Sequence, residues 1–175
     1  MISIRELRLH EAIWSEPTPV RYQHRLCCEQ GIVAQLHWLA DSFSPAVMSS
    51  CDGEWRFTLS GLFIKKIEIT AKNNYEPFAV YSPFMFMRGN IRLITESTKY
   101  ILAKSKKHKG QRAFIDAAYN ELCYFIPKHR FLEQSPILAI NKKMRLHPLL
   151  PLLAFFGWYL LIYENERSFD RQGGL

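Results

Sequence analysis

Basic side chains are concentrated in one short stretch of the chain, around a predicted hairpin tip at 105–110. They are Lys104, Lys106, Lys107, Lys109 and Arg112, with His108 among them. Such a tip offers several cations to phosphate groups or to an anionic lipid leaflet, each contributing about 1 kcal/mol near the surface. The same charges would also keep a solvated tip from pairing edge to edge with another sheet. Both interpretations stay open at the level of sequence.

A second basic group, Lys142, Lys143 and Arg145, precedes a long apolar segment. These residues would join the hairpin tip in one lipid-facing patch if the two regions meet in the fold, which the sequence does not decide. We predict lipid or anion binding at both groups. The net charge of +7 favours anionic partners in general, namely phospholipid headgroups, an acidic protein or nucleic acid. We do not expect nucleic acid, because no known nucleic-acid-binding module is evident.

Residues that could carry catalysis or hold a metal are scattered. The six histidines show no metal-ligand spacing, and the chain has no P-loop, nucleophile elbow or HExxH motif. The four cysteines include one adjacent pair, Cys27 and Cys28, but no CxxC, which is typical of reduced thiols. We therefore predict no enzymatic activity, no metal and no cofactor. Residues 1–8 lack the apolar core of a signal peptide, so we expect a cytoplasmic protein, peripheral at the membrane.

The apolar segment carries no charge between Arg145 and Glu164. Its apolar residues go all the way round the predicted helix, about 149–163, so the helix has no side for water. At 1.5 Å per residue this helix would rise only about 22 Å, whereas a bilayer core is about 30 Å thick. We therefore favour burial inside the protein, with a tail anchor as the alternative. Pro148 and Pro151 suit the first turn, where a missing N–H costs nothing.

The region that precedes this helix has the pattern of short strands separated by turn signals. Asp52-Gly53 is the strongest hairpin signal, and Arg88-Gly89-Asn90 is predicted to be another turn. Strands are expected at 78–81 and 84–87 on the near side of that second turn. The pattern predicts a mainly β (α+β) fold, a β-barrel of roughly ten to twelve strands that encloses the hydrophobic C-terminal helix. One domain would cover 1–167, and 168–175 would be a disordered tail.

Three local patterns resemble the tubby C-terminal-like group, which includes tubby proteins, LURP-one-related proteins and phospholipid scramblases. The first is the hairpin 52–57 followed by Gly61, the second is the pair of strands around the turn in 114–122, and the third is the closing order of strand, basic residues and apolar helix. The resemblance spans about 21–166. It implies a barrel of about a dozen strands around a hydrophobic helix, and tubby domains bind phosphoinositide headgroups through basic surface residues. The scramblase calcium segment is not carried over, because the acidic residues after the helix are too sparse.

These observations predict a non-enzymatic intracellular β-barrel that acts as a binding or adaptor module with weak affinity for anionic phospholipid. Two alternatives remain. One is a tail-anchored membrane protein with a cytosolic β domain, and the other is a protein-interaction partner whose basic surface meets an acidic protein without any lipid role.

Overall fold

The computed structural model describes residues 1–7, 13–17, 23–39, 45–62, 65–84, 88–94, 98–106, 110–126 and 137–170. The strands in this part of the chain are β1 (Ile13–Pro17), β2 (Gln23–Cys28), β3 (Gly31–Trp38), β4 (Ala46–Ser50), β5 (Gly53–Ser60), β6 (Lys66–Ala71), β7 (Ala79–Phe84), β8 (Arg88–Leu93), β9 (Lys99–Lys104), β10 (Arg112–Ile115), β11 (Glu121–Ile126) and β12 (Ile137–Ile140). A 3-10 turn at Lys142–Met144 leads to the helix α1 (Leu150–Asp170).

Each strand pairs antiparallel with the next strand along the chain, so the described strands form one continuous sheet. β1 also pairs with β12, and among the described residues that ladder contains two residue pairs, Ile13–Leu138 and Trp14–Ile137. Elsewhere the ladders are longer, as in the six pairs between β5 and β6. The predicted mainly β fold with one C-terminal helix is confirmed.

The sheet separates an apolar face from a polar one through the alternation of side chains along each strand. In β3 the side chains of Ala34, Leu36 and Trp38 are buried, whereas Gln35 and His37 between them are exposed. The buried side chains meet the helix. We call the face toward α1 the inner face and the opposite one the outer face.

The helix α1 fills the space against the inner face. Its residues from Leu150 to Tyr163 are all at most 9% exposed. The ring of Phe156 lies 5.2 Å from Phe57 on β5, 5.2 Å from Tyr81 on β7 and 6.4 Å from Phe114 on β10. Because strands that are far apart in the sequence contact one helical residue, burial inside the protein, the favoured interpretation of this segment, is confirmed.

The observed helix is longer than predicted at its C-terminal end. It begins at Leu150, in agreement with the expected start near 149, but continues to Asp170 instead of ending at 163. Residues 168–170, assigned to a disordered tail, are therefore helical, and 171–175 lie outside the described residues. Within the part of the chain that the structure describes, no helix has both the length and the apolar character needed to cross a bilayer.

The turn predicted at Arg88-Gly89-Asn90 is wrong, because these residues belong to β8 and pair with Phe84, Pro83 and Ser82. Gly89 has another role here. A Cβ at this position would overlap the ring of Tyr81, so glycine allows close approach of an aromatic ring and does not mark a turn. The two strands expected at 78–81 and 84–87 are one strand, β7, and 85–87 lie outside the described residues.

The hairpin predicted at Asp52-Gly53 is confirmed. β4 and β5 are joined by a two-residue loop, with Ser50 paired to Gly53. Gly53 has a φ of 152°, which L-residues rarely adopt. This loop also holds the N-terminal segment, because the Asp52 carboxylate accepts hydrogen bonds from the Ser3 hydroxyl (2.6 Å) and the Ile4 N–H (2.7 Å).

Candidate functional site

The predicted hairpin tip between β9 and β10 begins with a segment that is fixed to the next turn of the sheet. The backbone N–H of Lys106 donates to Oε1 of Glu121 at 2.7 Å, and the Ser105 hydroxyl donates to the same oxygen at 3.1 Å. The Lys106 ammonium lies 5.1 Å from the ring centroid of Tyr119, a cation–π contact. Lys104 is exposed at the end of β9, whereas Lys107 and Lys109 lie outside the described residues.

The second basic group is linked to Lys106 through Glu121. Asn141 donates its side-chain N–H to the Glu121 carbonyl at 2.6 Å. The side-chain oxygen of Asn141 also accepts from the Lys143 N–H at 3.2 Å and so caps the 3-10 turn. Lys142 and Lys143 are exposed on that turn. The structure therefore brings Lys106 and the lysine pair to the two sides of one glutamate, a juxtaposition that the sequence left open.

Arg112 does not join these lysines. Its side chain is only 16% exposed, and its Nη1 lies 3.1 Å from Oε2 of Glu164 on α1. Because β-strand alternation puts Arg112 on the inner face, with Phe114, its guanidinium ties β10 to the helix. Burial raises the pKa of the Glu164 carboxyl, and the charge and hydrogen bond of Arg112 oppose that rise. Arg145 is half-buried, and its carbonyl accepts a bond of 3.4 Å from Arg5.

Exposed apolar side chains accompany the lysines near the start of α1. Leu146 is 85% exposed directly after the basic group, and Tyr119 is 74% exposed in the β10–β11 turn. Antiparallel alternation places that turn and the start of α1 at the same end of the sheet. We call the set Lys106, Tyr119, Lys142, Lys143 and Leu146 the entry rim, because it lies where the chain enters α1.

The N-terminal segment and His147 fix the loop that carries Leu146. Arg5 donates to the Pro148 carbonyl at 2.9 Å, and Nδ1 of His147 accepts from the Leu149 N–H at 3.2 Å. The other ring nitrogen of His147 lies 3.4 Å from the Tyr100 hydroxyl on β9. Burial lowers the pKa of His147, Asp116 opposes this, and Arg5 lowers the pKa further. The loop is therefore held from several sides while Leu146 itself points to solvent.

A cavity of about 420 Å³ opens on the outer face of β2–β5, and sequence reasoning did not find it. We call it the β2–β5 cleft. It is lined mainly by polar side chains, among them Gln23, His24, Arg25, Gln35, His37, Ser49, Arg56 and Lys72. These residues come from several strands and from the segment after β6, so no local motif marks the cleft. The only sequence signal was the outward parity of Gln35, His37 and Arg56, which gains meaning once strand register is known.

The residue types for metal or thiol chemistry do not converge. Over the described ranges, no group of three or more His, Cys, Asp or Glu side chains could hold a metal ion. None of the four cysteines forms a disulfide; Cys51 is exposed, and Cys27, Cys28 and Cys123 are buried. Burial raises the pKa of Cys123, so its thiol stays protonated at neutral pH and is a poor nucleophile.

Comparison with known proteins found no match for the chain among family models, curated proteins or solved structures.

Proposed function

We propose that this protein is a non-enzymatic binding module that docks weakly on anionic membrane surfaces through the entry rim. The observation that supports this proposal most directly is the position of Leu146, which is 85% exposed beside the exposed lysine pair Lys142 and Lys143. This combination of a protruding apolar side chain with flanking cations matches the interface of an anionic bilayer. There the lysines meet headgroups while leucine and tyrosine reach the boundary of the acyl chains.

The expected affinity is low because few groups take part. Three lysines near an anionic leaflet would contribute about 1 kcal/mol each. The Tyr119 ring and Leu146 add apolar contact, but Lys106 already interacts with that ring. A module of this kind would bind reversibly and would depend strongly on ionic strength, since exposed charges are screened over about 8–10 Å in physiological salt.

The proposal extends to fold family and location. We propose that the short β1–β12 ladder closes the sheet into a barrel around α1, and that the chain is a member of the tubby C-terminal-like group acting at the cytoplasmic face of a membrane. The support is the run of consecutive antiparallel strands together with an apolar C-terminal helix contacted by β3, β5, β7, β10 and β11.

The test is cosedimentation of the full chain with vesicles of phosphatidylcholine containing about one third phosphatidylserine, a composition that carries the negative surface potential of a cytoplasmic leaflet. We expect the double change Lys142→Glu and Lys143→Glu to abolish binding, and Leu146→Ser to weaken it severalfold. The matched control is Lys65→Glu with Lys66→Glu, which reverses two exposed lysines at the opposite end of the sheet and should leave binding almost unchanged.

Two results would contradict the proposal. One is equal loss of binding in both charge-reversal variants, which would indicate a response to net charge alone. The other is binding that survives reversal of the entry-rim lysines. Salt-sensitive recovery of an acidic protein without any vesicle binding would favour the protein-interaction alternative.

A further inference from the structure

We propose that the β2–β5 cleft binds the phosphate group of a small phosphorylated solute, with the guanidinium of Arg56 as its anchor. This site is distinct from the entry rim and does not depend on membrane docking.

Strand register gathers the cleft from residues that are far apart in sequence. One row of neighbours runs across the sheet as Gln23, His37, Val47 and Arg56. The adjacent row on the same face is Arg25, Gln35, Ser49 and Glu54. Neighbouring strands lie about 4.8 Å apart, so the side chains of the two rows form one polar patch four strands wide.

Arg56 contributes to this patch a buried polar atom that has no partner. Its Nε is buried and has no hydrogen-bond partner among the described residues. Across the β5–β6 ladder lies Thr70, whose hydroxyl oxygen is also buried and unpartnered. A guanidinium stays charged at every physiological pH. An unpaired buried donor of this kind is costly, so its retention in a cavity points to an external acceptor.

The charged side chains that line the β2–β5 cleft favour a small dianion as its ligand. Lys72 is already neutralised, because its Nζ lies 2.8 Å from Oε2 of Glu54, whose other oxygen, Oε1, accepts from the Ser49 hydroxyl. Arg25 and Arg56 remain as cations toward the cavity. Burial lowers the pKa of His24, which favours its neutral form near pH 7. Two cations match a phosphate monoester, which carries a charge of about −1.5 to −2 at pH 7.

The shape of the cleft favours a small phosphorylated solute over a membrane surface. The planar fork of arginine binds two phosphate oxygens at once, and a cavity of about 420 Å³ leaves room for an attached group such as a sugar. The cleft lies on the side wall of the sheet, whereas the entry rim lies at its end. The buried Nε of Arg56 is recessed from the surface, so a flat bilayer docked on the rim would not reach it.

The first experiment titrates the full chain with inorganic phosphate at constant ionic strength, followed by ¹H–¹⁵N chemical shifts. We expect saturable shifts at the Arg56 Nε–H and at the amides of Gln35 and His37. Arg56→Gln should lower the affinity tenfold or more, and Arg56→Lys should give an intermediate loss, because it keeps the charge but not the fork. The control is Arg92→Gln, which removes an exposed arginine on β8 and should change nothing. Linear, unsaturable shifts, or equal losses in Arg56→Gln and Arg92→Gln, would overturn the proposal.

The second experiment separates a solute from a lipid headgroup as the source of the phosphate. Glycerol phosphate should bind with the same dependence on Arg56, whereas vesicles containing phosphatidic acid should bind wild type and Arg56→Gln equally. If Arg56→Gln removes vesicle binding and glycerol phosphate fails to bind, the solute assignment is wrong. Thermal melting serves as the folding control, since Arg56 lines an open cleft and its Nε has no partner to lose, so its replacement should cost little stability. Because the lysines of the entry rim are intact in these variants, failure here does not touch the proposed membrane docking.

Discussion

Arg112 lies in a basic run that is typical of a protein surface, but its ion pair with Glu164 gives it a role in the interior of the fold. Arg112 belongs to a basic run, yet its partner lies on α1 at 3.1 Å and both side chains are largely buried. The pair secures the inner face of β10 to the helix. Its energetic value depends on both members being present, because removal of one leaves a charge in a poorly solvated place.

We expect Arg112→Met to lower the free energy of unfolding by about 1–3 kcal/mol, less than the loss for a fully buried pair because both side chains keep some exposure to solvent. The double variant Arg112→Met with Glu164→Met should be more stable than the single one, because neither charge is left unpaired. Urea denaturation at pH 7 measures both. Additive losses would show that the two groups do not interact.

The same single variant should also respond to pH. Burial already raises the pKa of Glu164, and loss of the arginine removes the group that opposes the rise. A carboxyl with a raised folded-state pKa binds its proton more tightly in the folded state, so stability falls as pH rises from the unfolded-state pKa through the folded one. We expect the deficit of Arg112→Met relative to wild type to be smaller at pH 5 than at pH 7.5. A deficit that is constant with pH would place the cause elsewhere than Glu164.

At the scale of elements, α1 fits its strands closely enough to require one particular glycine. Gly157 lies in the middle of the helix, where glycine is unfavourable by about 1 kcal/mol relative to alanine. A Cβ there would overlap the ring of Phe125 on β11. The ring also lies edge to face with Phe114, at a centroid distance of 5.8 Å, so it cannot move freely. Close packing against β11 explains a residue that helix propensity alone would reject.

We expect Gly157→Ala to destabilise the protein by about 1–3 kcal/mol, because overpacking outweighs the gain in helix propensity. Adding Phe125→Leu should recover part of that loss, since the smaller side chain makes room for the methyl group. The measurement is thermal unfolding of both variants beside Phe125→Leu alone. A stabilised Gly157→Ala protein would mean that the helix does not lie against β11 as described.

The element scale also shows what the sequence could and could not predict. The hairpin at Asp52-Gly53 and the apolar helix were predictable because local chemistry decides them. The prediction of a turn at Arg88-Gly89-Asn90 was wrong because Gly89 makes room for the ring of Tyr81, which lies on the neighbouring strand. The candidate sites divide in the same way. Lys142 and Lys143 were visible as exposed charges, but the inward position of Arg112 and the cleft around Arg56 depend on register.

At the scale of the whole molecule, the helix supplies the core against which the sheet folds. The buried cluster contains side chains from the strands that face α1. It also contains nearly all of the helix residues from Leu150 to Tyr163. Without the helix, rings such as Phe57, Tyr81 and Phe114 would face water. The sheet is then a layer with no second layer to bury its apolar face.

We therefore expect a chain that ends at Arg145 to lose cooperative folding. Near-UV circular dichroism should show no fixed aromatic environment, and the protein should aggregate, since a large apolar surface is exposed. The control is the full chain with Gly157→Ala, which carries a damaged helix contact but keeps the core. A truncated chain that melts cooperatively would show that the sheet is stable by itself.

The order of elements along the chain has a consequence for synthesis. All twelve described strands precede α1, so a nascent chain emerging N-terminal end first presents every inward ring before the element that covers them exists. β1 must also wait for β12, its partner at Ile13–Leu138, across more than a hundred residues. The strands are thus synthesised before the helix that covers their apolar side chains. The protein is therefore expected to depend on holding chaperones until the helix is made.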